Sequence, residues 1–192
     1  VDDKLLAGWN ALAMEAFIAG ARQSDEAIYE QTARRIKRFI ETVLWDGDQL
    51  FRARSDGAAL GTVSLSDYAL TARAMLAFSR WANTPRDADL AHRMVLAAWR
   101  DFHRSNGWQR ERDPLLKGSE LHEVLRDEAM PAGDAVLIEV SLELAREMNL
   151  PTLAKMARSA LNRFWEQLRA EAFFFPSRIR ALEVAIGAQK GS

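Results

Sequence analysis

Three stretches of the chain have the spacing of apolar residues that is typical of helices buried on nearly all sides. In residues 5–22, apolar side chains recur every three or four positions and few residues are charged. In residues 68–79 Arg73 is the one charged residue, and a third apolar run covers residues 134–148. A helix that is apolar all round belongs in a protein core. The pattern therefore predicts three buried helices.

Each of these stretches is followed by a helix of a different kind. Residues 26–45, 86–103 and 152–169 each carry one apolar stripe and a charged opposite face. The connections within each pair are short, so the paired helices are expected to be antiparallel neighbours. A last short helix is predicted near residues 177–187.

Two segments interrupt the helical pattern. Residues 49–54 and 60–65 flank a Ser55-Asp56-Gly57 turn, which predicts a small β-hairpin. Residues 104–130 contain several turn signals, such as Asn106-Gly107, and are expected to be irregular. A loop of this length is unusual in a compact domain unless it is functional.

Polar residues gather at the start of each predicted buried helix. Asn10, Asp67 and Asp134 mark these starts and recur about every 60 residues, which indicates stacked supersecondary units. If the buried helices are parallel, their N-termini meet at one end. Free N–H groups and the helix dipole favour oxygen-rich ligands there. The sequence thus predicts one site with three arms.

Composition excludes several classes of function. The 192 residues suit one domain, and 26 basic against 27 acidic residues leave no basic excess for a nucleic-acid partner. The chain has no cysteine, which excludes disulfides and thiolate zinc sites. No apolar run approaches the ~20 residues of a membrane span, and no signal peptide is visible. We therefore expect a cytoplasmic protein with no membrane partner.

Neither a metal nor a cofactor is expected. His92, His103 and His122 have no metal-ligand spacing with acidic residues. The chain also has no glycine-rich phosphate loop and no nucleophile elbow.

The polar clusters, taken in order, resemble a known family. Asp2-Asp3-Lys4 followed by Trp9-Asn10, then Asp67-Tyr68-Ala69, then Asp127-x-Ala129-x-Pro131-x-Gly133 look like the helical region of YyaL-type proteins. This is the spermatogenesis-associated, thioredoxin-domain-containing family, and the resemblance extends to about residue 187. The family typically has Pro-Ser-Gly-Asn where this chain has Pro131-Ala132-Gly133-Asp134. The change removes a hydroxyl group and adds a charge.

The resemblance implies both a fold and a neighbouring domain. The fold is all-α, with three antiparallel helical hairpins that form about half of an (α/α)6 toroid, a small β-hairpin and one long loop. The toroid is similar to those of N-acylglucosamine 2-epimerases and six-hairpin glycosidases. Residues 1–192 are then expected to be a fragment, the second half of the toroid, of a longer protein with an N-terminal thioredoxin-like domain. The family brings no established reaction.

Two carboxylates are the candidate catalytic residues. Asp67 and Asp134 are interpreted as an acid–base pair of the kind that sugar-processing enzymes use. The alternative is that each simply caps a helix N-terminus. Histidine-based epimerase chemistry is disfavoured, because His122 is the one histidine on a loop that could reach the site.

Six further residues are candidates for substrate binding: Asp3, Lys4, Trp9, Asn10, Tyr68 and Asp127. Trp9 and Tyr68 are suited to stack on a sugar ring, although aromatic residues near helix starts are more often core residues. The alternative for the charged residues is ion pairing, between Asp3 and Lys4 and between Asp127 and either Arg126 or a neighbour. A carboxamide in an apolar run, such as Asn10, needs hydrogen-bond partners, which are either substrate or protein groups.

The leading functional hypothesis is a carbohydrate-processing or carbohydrate-binding toroid with an acidic site at the helix N-termini. If it is catalytic, carboxylates act as general acid and base in a glycosidase-like or epimerase-like reaction. The alternative is a non-catalytic scaffold that partners the thioredoxin-like domain. A sugar site requires a concave pocket, whereas a scaffold would hold the same carboxylates in caps and salt bridges.

A half toroid has two open ends. The buried helices at these ends would expose apolar surface, and such surface promotes association. Two copies of the chain are therefore expected to pair.

Overall fold

The computed structural model, which describes residues 6–112, 121–122, 125–163 and 165–187, contains eight α-helices over those residues. They are α1 Ala7–Gln23, α2 Ala27–Phe39, α3 Leu65–Ala82, α4 Pro85–Phe102, α5 Gly133–Glu147, α6 Pro151–Asn162, α7 Trp165–Glu171 and α8 Pro176–Gly187. None of the helices in these residues is long and apolar enough to cross a membrane.

The helices form two layers. Helix α3 lies in the middle of one layer and packs against α1 on one side and α5 on the other, and α8 packs on the far side of α5. We call α1, α3, α5 and α8 the inner row. Helices α2, α4 and α6 pack behind α1, α3 and α5 as their antiparallel partners. The predicted array of three helical hairpins is confirmed.

Helices α3 and α5 are buried as their sequences predict, but α1 is not. Only five of the 17 residues of α1 are buried, and Trp9, Ala16 and Ala19 are exposed, because α1 has an inner-row neighbour on one side only. Helix α3 is buried around most of its circumference because alanine, leucine, methionine and phenylalanine fill its faces. Helix α4 buries one stripe that includes Leu90, Met94, Ala98 and Phe102, and its other face is solvated. An apolar stripe on an outer helix against an all-round apolar inner helix gives one continuous core.

Two predicted helices differ in detail. The helix expected at 26–45 is α-helical to Phe39 and then continues as one π-helical turn, Ile40–Leu44. There the Trp45 amide donates to the Ile40 carbonyl oxygen at 3.0 Å, a spacing of five residues. The helix expected at 152–169 is divided into α6 and α7. Next to the break, the Arg163 side chain donates to the Ser105 carbonyl oxygen at 2.7 Å.

The chain also contains two short antiparallel hairpins. The predicted one is present but shorter, with β1 Ala53–Ser55 paired to β2 Ala58–Leu60. A second hairpin, β3 His103–Arg104 and β4 Gly107–Trp108, lies in the stretch that was expected to be irregular. The turn signal at Asn106-Gly107 closes it, and Gly107 adopts a φ of 151° that suits glycine. Residues 113–120 and 123–124 of that stretch lie outside the described residues.

Candidate functional site

The four inner helices begin side by side at one end of the row, which we call the mouth. The Gly8 amide at the start of α1 donates to Asp67 Oδ1 at the start of α3, at 3.3 Å. Gly133 at the start of α5 lies so close to α3 that a Cβ atom there would be 2.9 Å from the Ser66 nitrogen. Arg178 at the start of α8 donates to Asp134 at the start of α5. The inner helices are therefore parallel, and their positive dipole ends share the mouth.

Asp67 holds the start of α3 in a capping box. Its Oδ2 accepts from the Ser64 amide at 3.0 Å and from the Ser64 hydroxyl at 2.8 Å. The Ser64 hydroxyl oxygen in turn accepts from the Asp67 amide at 3.1 Å. This reciprocal pair satisfies two of the free N–H groups at the helix start. The geometry gives Asp67 a positioning role at the mouth.

Asp134 forms a buried ion pair. Its side chain is fully buried, it accepts a hydrogen bond from the Arg178 guanidinium, and the Leu125 amide donates to it at 3.4 Å. Burial raises the pKa of Asp134 above its ordinary value, and the Arg178 charge opposes that rise. The pair joins the starts of α5 and α8, so it also positions the mouth.

Asp127 fastens the loop before α5 to the start of α8. Its Oδ1 accepts from the Ala132 amide at 2.8 Å and from the Ser177 hydroxyl, and its Oδ2 accepts from the Ser177 amide at 3.0 Å. The ion pair with Arg126 that was the alternative is not formed, because Arg126 pairs with Glu171 at 2.9 Å.

The other predicted binding residues that the structure describes are exposed or are hydrogen-bonded within the protein. Trp9 is 68% exposed on α1, and the Asn10 side chain donates to the Leu6 carbonyl oxygen at 2.9 Å. Tyr68 is fully buried, and its hydroxyl oxygen accepts from the Leu50 amide at 2.8 Å and from Arg112 at 2.6 Å. Its ring therefore has no free face for a ligand. Asp3 and Lys4 lie outside the described residues.

A groove of about 270 Å³ opens between the starts of α3 and α5. Its walls come from residues 64–66, 110–111, 125–126 and 128–133, and we call it the mouth groove. Leu65 and Met130 give it apolar surface, and the Ser64 and Ser66 hydroxyls add polar groups. Apolar walls with a few convergent polar groups are typical of small-molecule sites.

Two acidic and two basic side chains line this groove. Glu128 pairs with Arg110 at 3.2 Å, and Arg126 is held by Glu171. Among the described residues Glu111 forms no side-chain hydrogen bond or ion pair. Both oxygens of the Glu111 carboxylate are therefore left for a ligand, whereas Arg110 occupies Oε1 of Glu128.

Sequence reasoning missed Glu111 as a site residue. It lies in the long stretch after α4, where nothing in the spacing of residues marks it. An isolated β-bridge pairs its backbone with Ser64, directly before α3, and brings it to the mouth. Such pairing between distant segments leaves no local signal in one sequence.

A second groove, of about 330 Å³, runs along the middle of the inner row. Its charged groups are paired, with Arg73 to Glu15 at 2.8 Å, Arg180 to Glu139 at 2.7 Å and Arg80 to Glu143 at 2.9 Å. We call this the inner-face groove. Its paired charges hold neighbouring inner helices together.

None of the three histidines lines the mouth groove. His103 packs between Trp99 and Trp108, with ring centroids 5.0 and 4.7 Å away. The His122 backbone pairs with Trp108. No cluster of three or more acidic or histidine side chains able to hold a metal ion occurs in the described part of the chain.

Comparison with known proteins shows the fold. No family model matches the sequence, and no curated protein matches it. Among solved structures, a sugar epimerase from a ruminal bacterium superimposes with a TM-score of 0.64 at 12% identity, over 84% of this chain and 43% of that one. Cellobiose 2-epimerases from Spirochaeta thermophila and Bacillus thermoamylovorans superimpose with TM-scores of 0.65, at 17% and 16% identity. They cover 84% and 86% of this chain and 43% and 45% of their own.

The fold is about half of an (α/α) toroid. The chain spans less than half the length of these structures. At such low identity the likeness concerns the fold alone.

Proposed function

We propose that the protein binds and processes a carbohydrate in the mouth groove. The observation that carries this proposal is a concave site of about 270 Å³ where the inner helices begin. Serine hydroxyls and carboxylates suit the hydroxyl groups of a sugar, and the apolar wall suits its C–H faces. The fold likeness to proteins described as sugar epimerases supports the same class of ligand.

If the groove is catalytic, its own carboxylates are the groups that can reach a ligand. Glu111 is free to exchange a proton with a bound sugar, and Glu128 is placed nearby in its ion pair with Arg110. The assignment of Asp67 and Asp134 as an acid–base pair remains a prediction. Both carboxylates take part in contacts within the protein. We propose that they set the walls of the groove.

The test is a thermal-shift screen of the protein against mono- and oligosaccharides. Glu111→Gln and Glu128→Gln remove the groove carboxylates while keeping the side-chain shape. Glu183→Gln, on the exposed face of α8, is the matched control. We expect stabilisation by particular sugars that is lost with Glu111→Gln and kept with Glu183→Gln. If a sugar stabilises all three variants equally, the sugar binds outside the mouth groove.

One observation favours the alternative of a non-catalytic scaffold. Asp67, Asp127 and Asp134 all take part in caps or ion pairs within the protein. In this alternative the helices support a thioredoxin-like domain, as the resemblance to YyaL-type proteins implies. The same screen separates the two proposals, since a scaffold is stabilised by no sugar.

A further inference from the structure

Two phenylalanines beside the mouth expose more of their rings than a structural role requires. Phe173 is 87% exposed and Phe174 is 45% exposed, and their rings meet edge to face with centroids 5.5 Å apart. Both lie in the 3₁₀ turn Ala172–Phe174 between α7 and α8. Exposed aromatic groups of this size commonly mark a binding surface.

The turn that carries these rings is held in place. The next residue, Phe175, is 1% exposed, so it anchors the turn in the core. The Phe175 amide donates to the Ala172 carbonyl oxygen at 3.0 Å, and the Asp127 amide donates to the Phe174 carbonyl oxygen at 3.1 Å. The backbone that carries the exposed rings is therefore held in place, so binding does not have to order it.

Arg126 joins this turn to the mouth groove. Its side chain lines the groove, and its guanidinium lies over the Phe174 ring at 5.0 Å from the centroid. Glu171 neutralises the guanidinium charge at 2.9 Å. The groove, the guanidinium and the Phe173 ring thus form one surface. Both arginines that line the groove are paired with carboxylates, and Glu111 adds a further carboxylate, so this surface disfavours an anionic ligand and suits a neutral one.

We infer that Phe173 is a stacking platform for a further sugar ring, so that the ligand is a neutral oligosaccharide rather than a monosaccharide. This inference rests on the proposed function. One ring of the ligand occupies the mouth groove. The next ring lays an apolar C–H face on Phe173, and its hydroxyl groups accept hydrogen bonds from Arg126. An aromatic ring contributes area and orientation to such a contact.

The test is calorimetric titration of the protein with glucose and with its β-1,4- and α-1,4-linked dimers and tetramers. Phe173→Ala removes the platform, and Phe173→Trp restores an aromatic face. Ile186→Ala, an exposed apolar residue on α8, is the matched control. Phe173→Ala is expected to weaken binding of an oligomer about fivefold, and to leave glucose binding unchanged. Phe173→Trp and Ile186→Ala are expected to bind like the unaltered protein.

Four results would overturn the inference. If an oligomer binds no more tightly than glucose, Phe173 is not a platform, although the mouth groove remains a sugar site. The same conclusion follows if Phe173→Ala leaves the ratio of oligomer affinity to glucose affinity unchanged. If Phe173→Ala abolishes self-association and leaves the sugar affinity unchanged, the turn is a contact between copies of the chain. Binding of no saccharide to the folded protein overturns the proposed function as well.

Discussion

At the scale of single residues, buried polar groups fix the geometry of the mouth. The ion pair between Asp134 and Arg178 is almost wholly buried. A buried pair stabilises little compared with apolar residues of the same volume, but removal of one partner leaves an uncompensated charge. The pair therefore specifies how α5 and α8 meet.

Asp134→Asn should lower the free energy of unfolding by about 3–5 kcal/mol, because it removes the carboxylate charge that faces the buried Arg178 guanidinium. Glu30→Gln breaks the exposed pair with Arg34 and should change the free energy by about 0–1 kcal/mol. Urea unfolding of both variants measures the difference. Similar losses of unfolding free energy in the two variants would show that the buried pair is not required for stability.

Gly133→Ala should destabilise the protein by about 1–3 kcal/mol. A Cβ atom at this position would lie 2.8 Å from the Ser66 hydroxyl oxygen and 2.9 Å from the Ser66 nitrogen. Gly187→Ala is the matched control, since no atom of the described residues lies within 4 Å of a Cβ atom there. In thermal unfolding, the Tm of Gly133→Ala should be lower than that of the unaltered protein. The Tm of Gly187→Ala should be equal to or higher than that of the unaltered protein. A Gly133→Ala protein of full stability would contradict the close contact between α3 and α5.

At the scale of elements, apolar spacing predicts the inner and outer helices because burial follows directly from it. The caps at Ser64 and Asp67 are likewise readable, since serine and aspartate three residues apart are suited to a capping box. The position of Glu111 at the mouth cannot be predicted from the sequence, because its β-bridge to Ser64 joins two segments that are distant in the chain. Likewise, the burial of Asp134 depends on Arg178, which lies 44 residues further along the chain.

His103, at the end of α4, should make the free energy of unfolding depend on pH. Burial, together with the charges of Arg163 and Arg104, lowers the pKa of His103 below its ordinary value of 6.5. The unfolded chain therefore binds a proton more readily, and the free energy of unfolding should fall as pH decreases from 6.5 towards the folded pKa. Stability is fully present above 6.5.

Urea unfolding at pH 7.5 and at pH 5.5 measures this dependence. His103→Phe should make the loss at the lower pH smaller. The loss should not vanish, since burial also lowers the pKa of His92. An unchanged pH dependence in the variant would assign the effect to other groups.

At the scale of the whole molecule, the inner row has two open ends. Among the described residues, most of the exposed large apolar side chains lie at these ends. Trp9 and Ile28 lie on α1 and α2, and Trp165, Ile179 and Ile186 lie on α7 and α8. The structures of similar fold are more than twice as long as the matched segment. The exposed ends are therefore the surfaces at which further helices would continue the ring.

We predict that a second copy covers these ends. Sedimentation velocity over a range of concentrations should show a dimer that dissociates with Trp9→Glu or Ile179→Glu. Both side chains are exposed, at 68% and 37%, so the variants should fold. A monomer at all concentrations of the unaltered protein would contradict self-association.

The measurement that tests the central proposal most directly is a titration of the ¹⁵N-labelled protein with saccharides, followed by amide chemical shifts. A sugar in the mouth groove should move the signals of Ser66, Glu111 and Gly133, which line it. It should leave Glu15 and Arg73 of the inner-face groove unchanged. Shifts confined to the inner-face groove, or no shifts with any saccharide, would contradict a sugar site at the N-termini of the inner helices.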